Sequence, residues 1–175
     1  EIRDYTIFVD GISKAFAATG VRVGWALGPA EIIAKMKALL SHIGAWAPMA
    51  EQQAVAKYLS NFPAITNYLA NFKSELEQRL KIIYAGFIRL KSKGYSVDAV
   101  TPQAAIYLTI KLDLVGKTGN GKKLETQSDV TSYILSEAKL AVVPFYAFGA
   151  LPHSPWYRLS IGTCRLSDIE PMFTQ

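Results

Sequence analysis

Apolar and polar positions change period several times along this chain. Residues 5–9, YTIFV, form an unbroken apolar run that stops at the turn pair Asp10-Gly11, which predicts a buried strand. RVGWAL (22–27) predicts a second short strand. Gly28-Pro29 then opens a helix with proline at its first position, and Ile32, Ile33, Met36, Leu39 and Leu40 share one face. SHIGAWAP (41–48) breaks that pattern and reads as a loop. Another helix follows to Leu59, and NFPAI (61–65) breaks the period again. A long helix is then predicted from about Ala64 to Lys93, because Leu69, Phe72, Leu76, Leu80, Ile83, Phe87 and Leu90 step by three or four. Lys91 and Lys93 oppose its negative end, and Gly94 is placed to cap it.

The texture then changes. YSVDAVTPQAAIYLTIKL (95–112) reads as one strand or two, and GKTGNGKK (116–123) as an exposed turn. SDVTSYILSEAK (128–139) predicts an amphipathic helix started by Ser128, and LAVVP and WYRLSIGT predict strands. The expected organisation is α/β to α+β: a βαβα-like stretch over 1–62, a long connecting helix over 63–94, and a small α+β domain over 95–175. No internal repeat or low-complexity tract interrupts it.

Composition narrows the function classes. The chain has 175 residues, half of them hydrophobic, which is enough for a real core. Only 19% are charged, which argues against a disordered tail. The net charge of +5 does not form a nucleic-acid surface, because the cations of 73–93 are mixed with Glu75 and Glu77, and those of 111–123 surround a glycine-rich turn. No run approaches the roughly 20 apolar residues that span a bilayer. One cysteine, Cys164, gives no intrachain disulfide and suits a reducing compartment. A soluble, cytoplasmic protein without nucleic-acid or membrane partners is expected.

Several motifs fail on spacing. VGKT (115–118) would need a glycine five positions before Gly116 to cradle phosphate, and Lys111 stands there. His42, His153 and Cys164 fall in no register for a cysteine nucleophile, and no metal-ligand spacing occurs. Two cations remain of interest. Arg158 alternates with Tyr157, Leu159 and Ile161, so it projects from the opposite strand face. An arginine among apolar neighbours needs an anionic partner, either an internal acid or a ligand carboxylate gripped by its planar fork. Lys14 lies beside an apolar run with Arg22 eight residues on. The ordinary alternative is a lysine that snorkels to solvent. The chemical alternative is an amine nucleophile that forms an imine with a carbonyl, with Arg22 holding the phosphate of a phosphorylated aldehyde.

SKAFAATGVRVGW (13–25) resembles the Schiff-base segment of class I/II aminotransferases, the fold type I pyridoxal-phosphate enzymes that include aspartate aminotransferase. Ser13, Lys14, Thr19, Gly20, Arg22, Gly24 and Trp25 match in register. SEAKLAVVPFYAFG, YRLSIGTCRLSDIE and TPQAAIYLTIKL resemble three further family segments. The resemblance implies that Lys14 forms the imine with pyridoxal 5'-phosphate and then shuttles the proton at the substrate Cα. It implies that Ser13 and Arg22 bind the cofactor, Arg22 through the phosphate, and that Arg158 clamps the substrate α-carboxylate. The implied reaction moves an amino group from an L-amino acid to a 2-oxo acid, in a homodimer.

Departures from the family pattern carry expectations of their own. Gly11 stands where a phosphate-binding Ser or Thr is usual, and the loop 41–48 carries no arginine for a side-chain carboxylate. The residues that hold the pyridine ring lie upstream of the lysine in this family. The sequence therefore reads as the C-terminal portion of such an enzyme, expected to be inactive alone, to hold the cofactor weakly or not at all, and to leave its first ~60 residues swapped, rearranged or poorly ordered because the strand edges lack partners. A lyase or synthase on the same fold, or a non-enzymatic dimerisation module, are the alternative readings.

Overall fold

The computed structural model describes residues 2–174. The chain divides into two compact units, residues 1–72 and 73–175.

The first unit opens with a 3-10 turn, Ile2–Tyr5, followed by β1 (Phe8–Gly11), α1 (Ile12–Ala15), a 3-10 turn (Thr19–Val21) and β2 (Gly24–Leu27). The helices α2 (Ala30–Ile43) and α3 (Met49–Leu59) come next, and α4 (Phe62–Ser92) begins in this unit and ends in the second. β1 and β2 pair antiparallel, with Phe8 opposite Leu27 and Gly11 opposite Gly24. The apolar run 5–9 is thus a strand only from Phe8, and it is not buried: Phe8 is 52% and Val9 69% exposed. A sheet of two strands gives those side chains no second layer to pack against. What is buried is a small cluster of Ile12, Val23 and Val55, edged by Phe16, Val21, Trp25 and Leu59. Gly11 lies close to the paired strand: a Cβ there would come 3.2 Å from the Val23 carbonyl oxygen and 3.3 Å from the Gly24 Cα, a tight fit that needs a small shift of the neighbouring backbone.

Helix ends differ from the periodicity in instructive ways. Pro29 is the N-cap of α2, one position before the helix proper. α2 also continues through Ser41, His42 and Ile43, because its stop is Gly44 in the left-handed conformation (φ 66°) and not the polar pair before it. α4 starts at Phe62, two residues earlier than the apolar period, where the Asn61 side chain accepts the Ala64 N–H at 3.4 Å.

The second unit continues α4, then adds β3 (Val97–Ala99), β4 (Tyr107–Leu112), a small hairpin β5 (Thr118–Gly119) and β6 (Lys122–Lys123), α5 (Gln127–Glu137), β7 (Val143–Pro144), β8 (Trp156–Ser160) and α6 (Leu166–Met172). β3, β4, β8 and β7 form one antiparallel sheet in that order. Alternation along β4 buries Leu108, Ile110 and Leu112 and leaves Tyr107, Thr109 and Lys111 half-buried on the other face. Leu80, Ile83 and Phe87 of α4, Val130 and Ile134 of α5, and Ile169 of α6 are buried as well. Asn120 and Gly121 both have positive φ, 48° and 75°, which is the turn geometry that a two-residue hairpin demands.

α5 is capped by Thr126, not Ser128. The Thr126 hydroxyl accepts the Asp129 N–H at 3.1 Å, and the Asp129 carboxylate accepts the Thr126 N–H at 3.0 Å. Ser128 then falls at the second helical position, where its hydroxyl has no capping role. The Thr126 hydroxyl also donates to the Asp129 carboxylate at 2.9 Å, and this bond foremost, with that from the Thr126 N–H, holds the Asp129 carboxyl below its ordinary pKa. Among the described residues no helix is long and apolar enough to cross a membrane.

Candidate active site

The segment from Ser13 to Arg22 is a compact loop in the first unit. Ile12, at the start of α1, is buried, and so is Val23, just beyond the loop; the Ile12 N–H donates to the Val23 carbonyl at 3.1 Å. The two ends of the loop are thereby fastened together. Lys14 and Arg22 point the other way and are exposed. The apolar neighbourhood that the sequence suggests for these cations belongs to the residues beside them, which turn inward.

Inside the loop, the Thr19 hydroxyl donates to the Ser13 carbonyl at 3.2 Å, and an Arg22 guanidinium nitrogen donates to the Thr19 carbonyl at 3.0 Å. Ser13 and Arg22 are thus linked through Thr19. Arg22 has left-handed backbone angles, φ 59° and ψ 38°, and Ala17 has φ 50°. Such geometry costs an L residue about 1–2 kcal/mol, and it persists where the surroundings impose it, often at functional loops. Among the described residues the Lys14 amine has no hydrogen-bond or ion-pair partner, and Arg22 has no carboxylate partner. The donor set is a primary amine, a guanidinium and a hydroxyl on one short loop. It matches an aldehyde and a phosphate in chemical type.

Arg158 belongs to the second unit, in the interior strand β8, opposite Thr109 of β4 and Val143 of β7. Tyr157 and Leu159 bury the other face of the strand, as the alternation predicts. No described acid pairs with Arg158. Its guanidinium carbon lies 4.4 Å from the Tyr107 ring centroid and 4.6 Å from that of Phe148. Two aromatic faces compensate the charge without using its N–H donors, so the fork stays available for a planar anion. The internal salt bridge weighed for this residue is not what holds it. The two rings were missed in the sequence. Tyr107 shares the sheet face of Arg158 only through the β4–β8 register, and Phe148 reaches it from a 3-10 turn, Phe145–Phe148, whose side chains follow no period.

Among the described residues, Gln127 is the one buried polar side chain. Its Oε1 accepts from the Tyr157 hydroxyl at 2.6 Å, and its Nε2 donates to the His153 carbonyl at 3.2 Å. Burial pushes the Tyr157 hydroxyl above its ordinary pKa. Cys164 is likewise raised by burial, with Arg79 nearby acting in the opposite sense, so it is a thiol and not a nucleophilic thiolate. It lines a cavity of about 420 Å³ in this unit with Ile83, Leu159 and Ile169.

Residues 1–171 match the family described as Aminotransferase class I and II. The chain belongs to that family. It is 32% identical over 164 residues to an aspartate aminotransferase of Rhizobium meliloti (strain 1021), covering 93% of this chain and 38% of that protein. A probable aspartate/prephenate aminotransferase of Rickettsia bellii is 30% identical over 165 residues, covering 93% and 39%. Among solved structures, the aspartate aminotransferase of Rhizobium meliloti superposes with a TM-score of 0.78 at 29% identity, covering 98% of this chain and 41% of that one. The aromatic aminotransferase of Pyrococcus horikoshii OT3 gives 0.82 at 26% identity, covering 98% and 42%. The architecture is therefore that of the fold type I transferases, and the chain corresponds to a C-terminal portion of that fold. It spans about two fifths of the length of the curated relatives it matches.

Proposed function

We propose that the protein containing this chain is a pyridoxal-phosphate-dependent aminotransferase acting on an L-amino acid and a 2-oxo acid as a homodimer, with residues 1–62 contributing to its cofactor domain and residues 95–175 forming its smaller domain. The observation that carries the proposal is the Ser13–Arg22 loop, which holds an unpartnered amine and a guanidinium in a backbone conformation that an L residue does not adopt freely.

The residues divide the work by their chemistry. Lys14 would hold the cofactor aldehyde through its amine and would take and return the proton at the substrate Cα. Arg22 would pair with the phosphate, and Ser13, on the same loop, would add a hydroxyl donor. Arg158 receives the substrate α-carboxylate on its fork and so fixes the direction of the Cα–H bond. Pyridoxal phosphate, when bound, supplies the electron-accepting ring that stabilises negative charge at Cα.

The test uses the intact protein. Loaded with pyridoxal phosphate and given a panel of L-amino acids together with a 2-oxo acid acceptor, it is expected to form the matching 2-oxo acid and the aminated acceptor in equal amounts without ammonia, and Lys14→Ala is expected to abolish both products. Arg158→Lys is expected to lower kcat/KM at least tenfold while the cofactor stays bound. Ammonia released in step with the oxo acid would favour a lyase and overturn the transaminase assignment.

A further inference from the structure

α1 is four residues long, and a helix that short does not hold its own direction in water, because a single turn fixes many dihedrals for one hydrogen bond. Something outside it must aim Lys14. Its floor is held by Ile12. Its far end is held by a residue from a different part of the chain: the Tyr68 hydroxyl of α4 donates to the Phe16 carbonyl at 3.0 Å, across 52 positions of sequence.

That carbonyl has a particular role. It belongs to the peptide that leads into Ala17, the residue at φ 50°. Fixing the peptide plane before Ala17 restricts the chain to the left-handed turn that returns it toward Thr19 and Arg22. Phe16 is also the C-cap of α1, and its carbonyl is a group that would otherwise need water. The rings reinforce the bond. Phe16 stacks on Tyr68 with centroids 6.1 Å apart and planes at 14°, Tyr68 stacks on Phe72 at 5.7 Å and 17°, and Tyr58 of α3 meets Phe16 edge-on at 5.8 Å.

We infer that Tyr68 is a positioning residue for the Lys14 loop: through the Phe16 carbonyl it imposes the strained turn at Ala17, and so sets where the Lys14 amine and the Arg22 fork stand. The inference rests on the reading of Lys14 and Arg22 as the cofactor-binding pair, and its test separates the two.

In the intact protein, free of cofactor, Tyr68→Phe keeps the ring stack and removes only the hydroxyl. Amide hydrogen exchange over residues 14–22 is expected to accelerate at least fivefold, with residues 97–112 unchanged. Tyr58→Phe serves as the control, since its ring makes the edge contact and its hydroxyl makes no hydrogen bond to the described residues; exchange there is expected to match the parent. A rescue distinguishes steering from general loosening. Glycine adopts φ near 50° at no steric cost, so Ala17→Gly in the Tyr68→Phe background is expected to restore most of the loop's protection. The same variants, treated with pyridoxal phosphate and borohydride, are expected to show Lys14 labelling that falls with Tyr68→Phe and recovers in the double variant. Exchange in Tyr68→Phe equal to the parent, or a double variant no better protected than Tyr68→Phe, would overturn the role of Tyr68. Altered exchange with no labelling at residue 14 in any variant would leave that role standing and remove the cofactor reading instead.

Discussion

The two units of this chain solve the burial problem to very different extents. In residues 73–175, β4 and β8 alternate cleanly, and Ile110, Tyr157, Ile161 and Val130 are wholly withdrawn from water. In residues 1–72 the buried set reduces to Ile12, Val23 and Val55, while Leu27, Leu39, Ile43 and Trp46 are each more than 60% exposed. The unit with its own core presents the Arg158 fork on an interior strand, whereas the unit with little core presents the Lys14 loop, held by a few contacts distant in sequence.

The largest expected effect lies in the well-packed unit. Ile110→Ala removes a fully buried side chain from the middle of β4 and is expected to cost about 2–5 kcal/mol. The tryptophans allow the units to be followed separately, since Trp25 and Trp46 lie in the first and Trp156 in the second. Denaturant unfolding read at Trp156 is expected to shift strongly. An equal shift from Val55→Ala read at Trp25 and Trp46 would dissolve the contrast between the units.

Next comes the buried polar link. Tyr157→Phe leaves the Gln127 Oε1 without its donor and is expected to destabilise the second unit by about 1–3 kcal/mol, measured by the same unfolding curve. Gln127→Leu in the Tyr157→Phe background is expected to recover part of that loss, because no unsatisfied group is left behind.

A smaller effect is expected at the cap of α5, where Thr126→Ala is expected to cost about 1 kcal/mol. Its partner gives a pH signature. The Asp129 pKa is lowered in the folded state, so its contribution is present above the unfolded carboxylate pKa of about 3.9 and disappears as pH falls through the lower folded value. Asp129→Asn is therefore expected to reduce stability at pH 7 and to flatten the fall in stability below about pH 4. A variant as acid-sensitive as the parent would contradict the capping geometry.

The legible and illegible parts of the sequence divide along a physical line. Helices α2 and α4 are readable because their apolar faces repeat every three or four residues, and Gly94 (φ 90°) and the Asn120-Gly121 turn are readable because their backbone angles restrict the residue choice. Lys14 and Arg22 stood out by residue type and spacing on one local segment. What the pattern hid depends on contacts distant in sequence. The β4–β8 register puts Tyr107 beside Arg158, and the Tyr68 hydroxyl reaches Phe16 from the next helix but two. The exposure of Phe8 and Val9 was hidden for the same reason, since an apolar run records what a strand needs and not which layer covers it.

The measurement closest to the central claim is the site of covalent capture. The intact protein is incubated with pyridoxal phosphate, reduced with borohydride and mapped by peptide mass. The expected result is one stable adduct at Lys14, strongly diminished by Arg22→Ala and undiminished by Arg158→Ala. Adducts spread over the surface lysines with no preference for Lys14, or a Lys14 adduct indifferent to the loss of Arg22, would contradict the account.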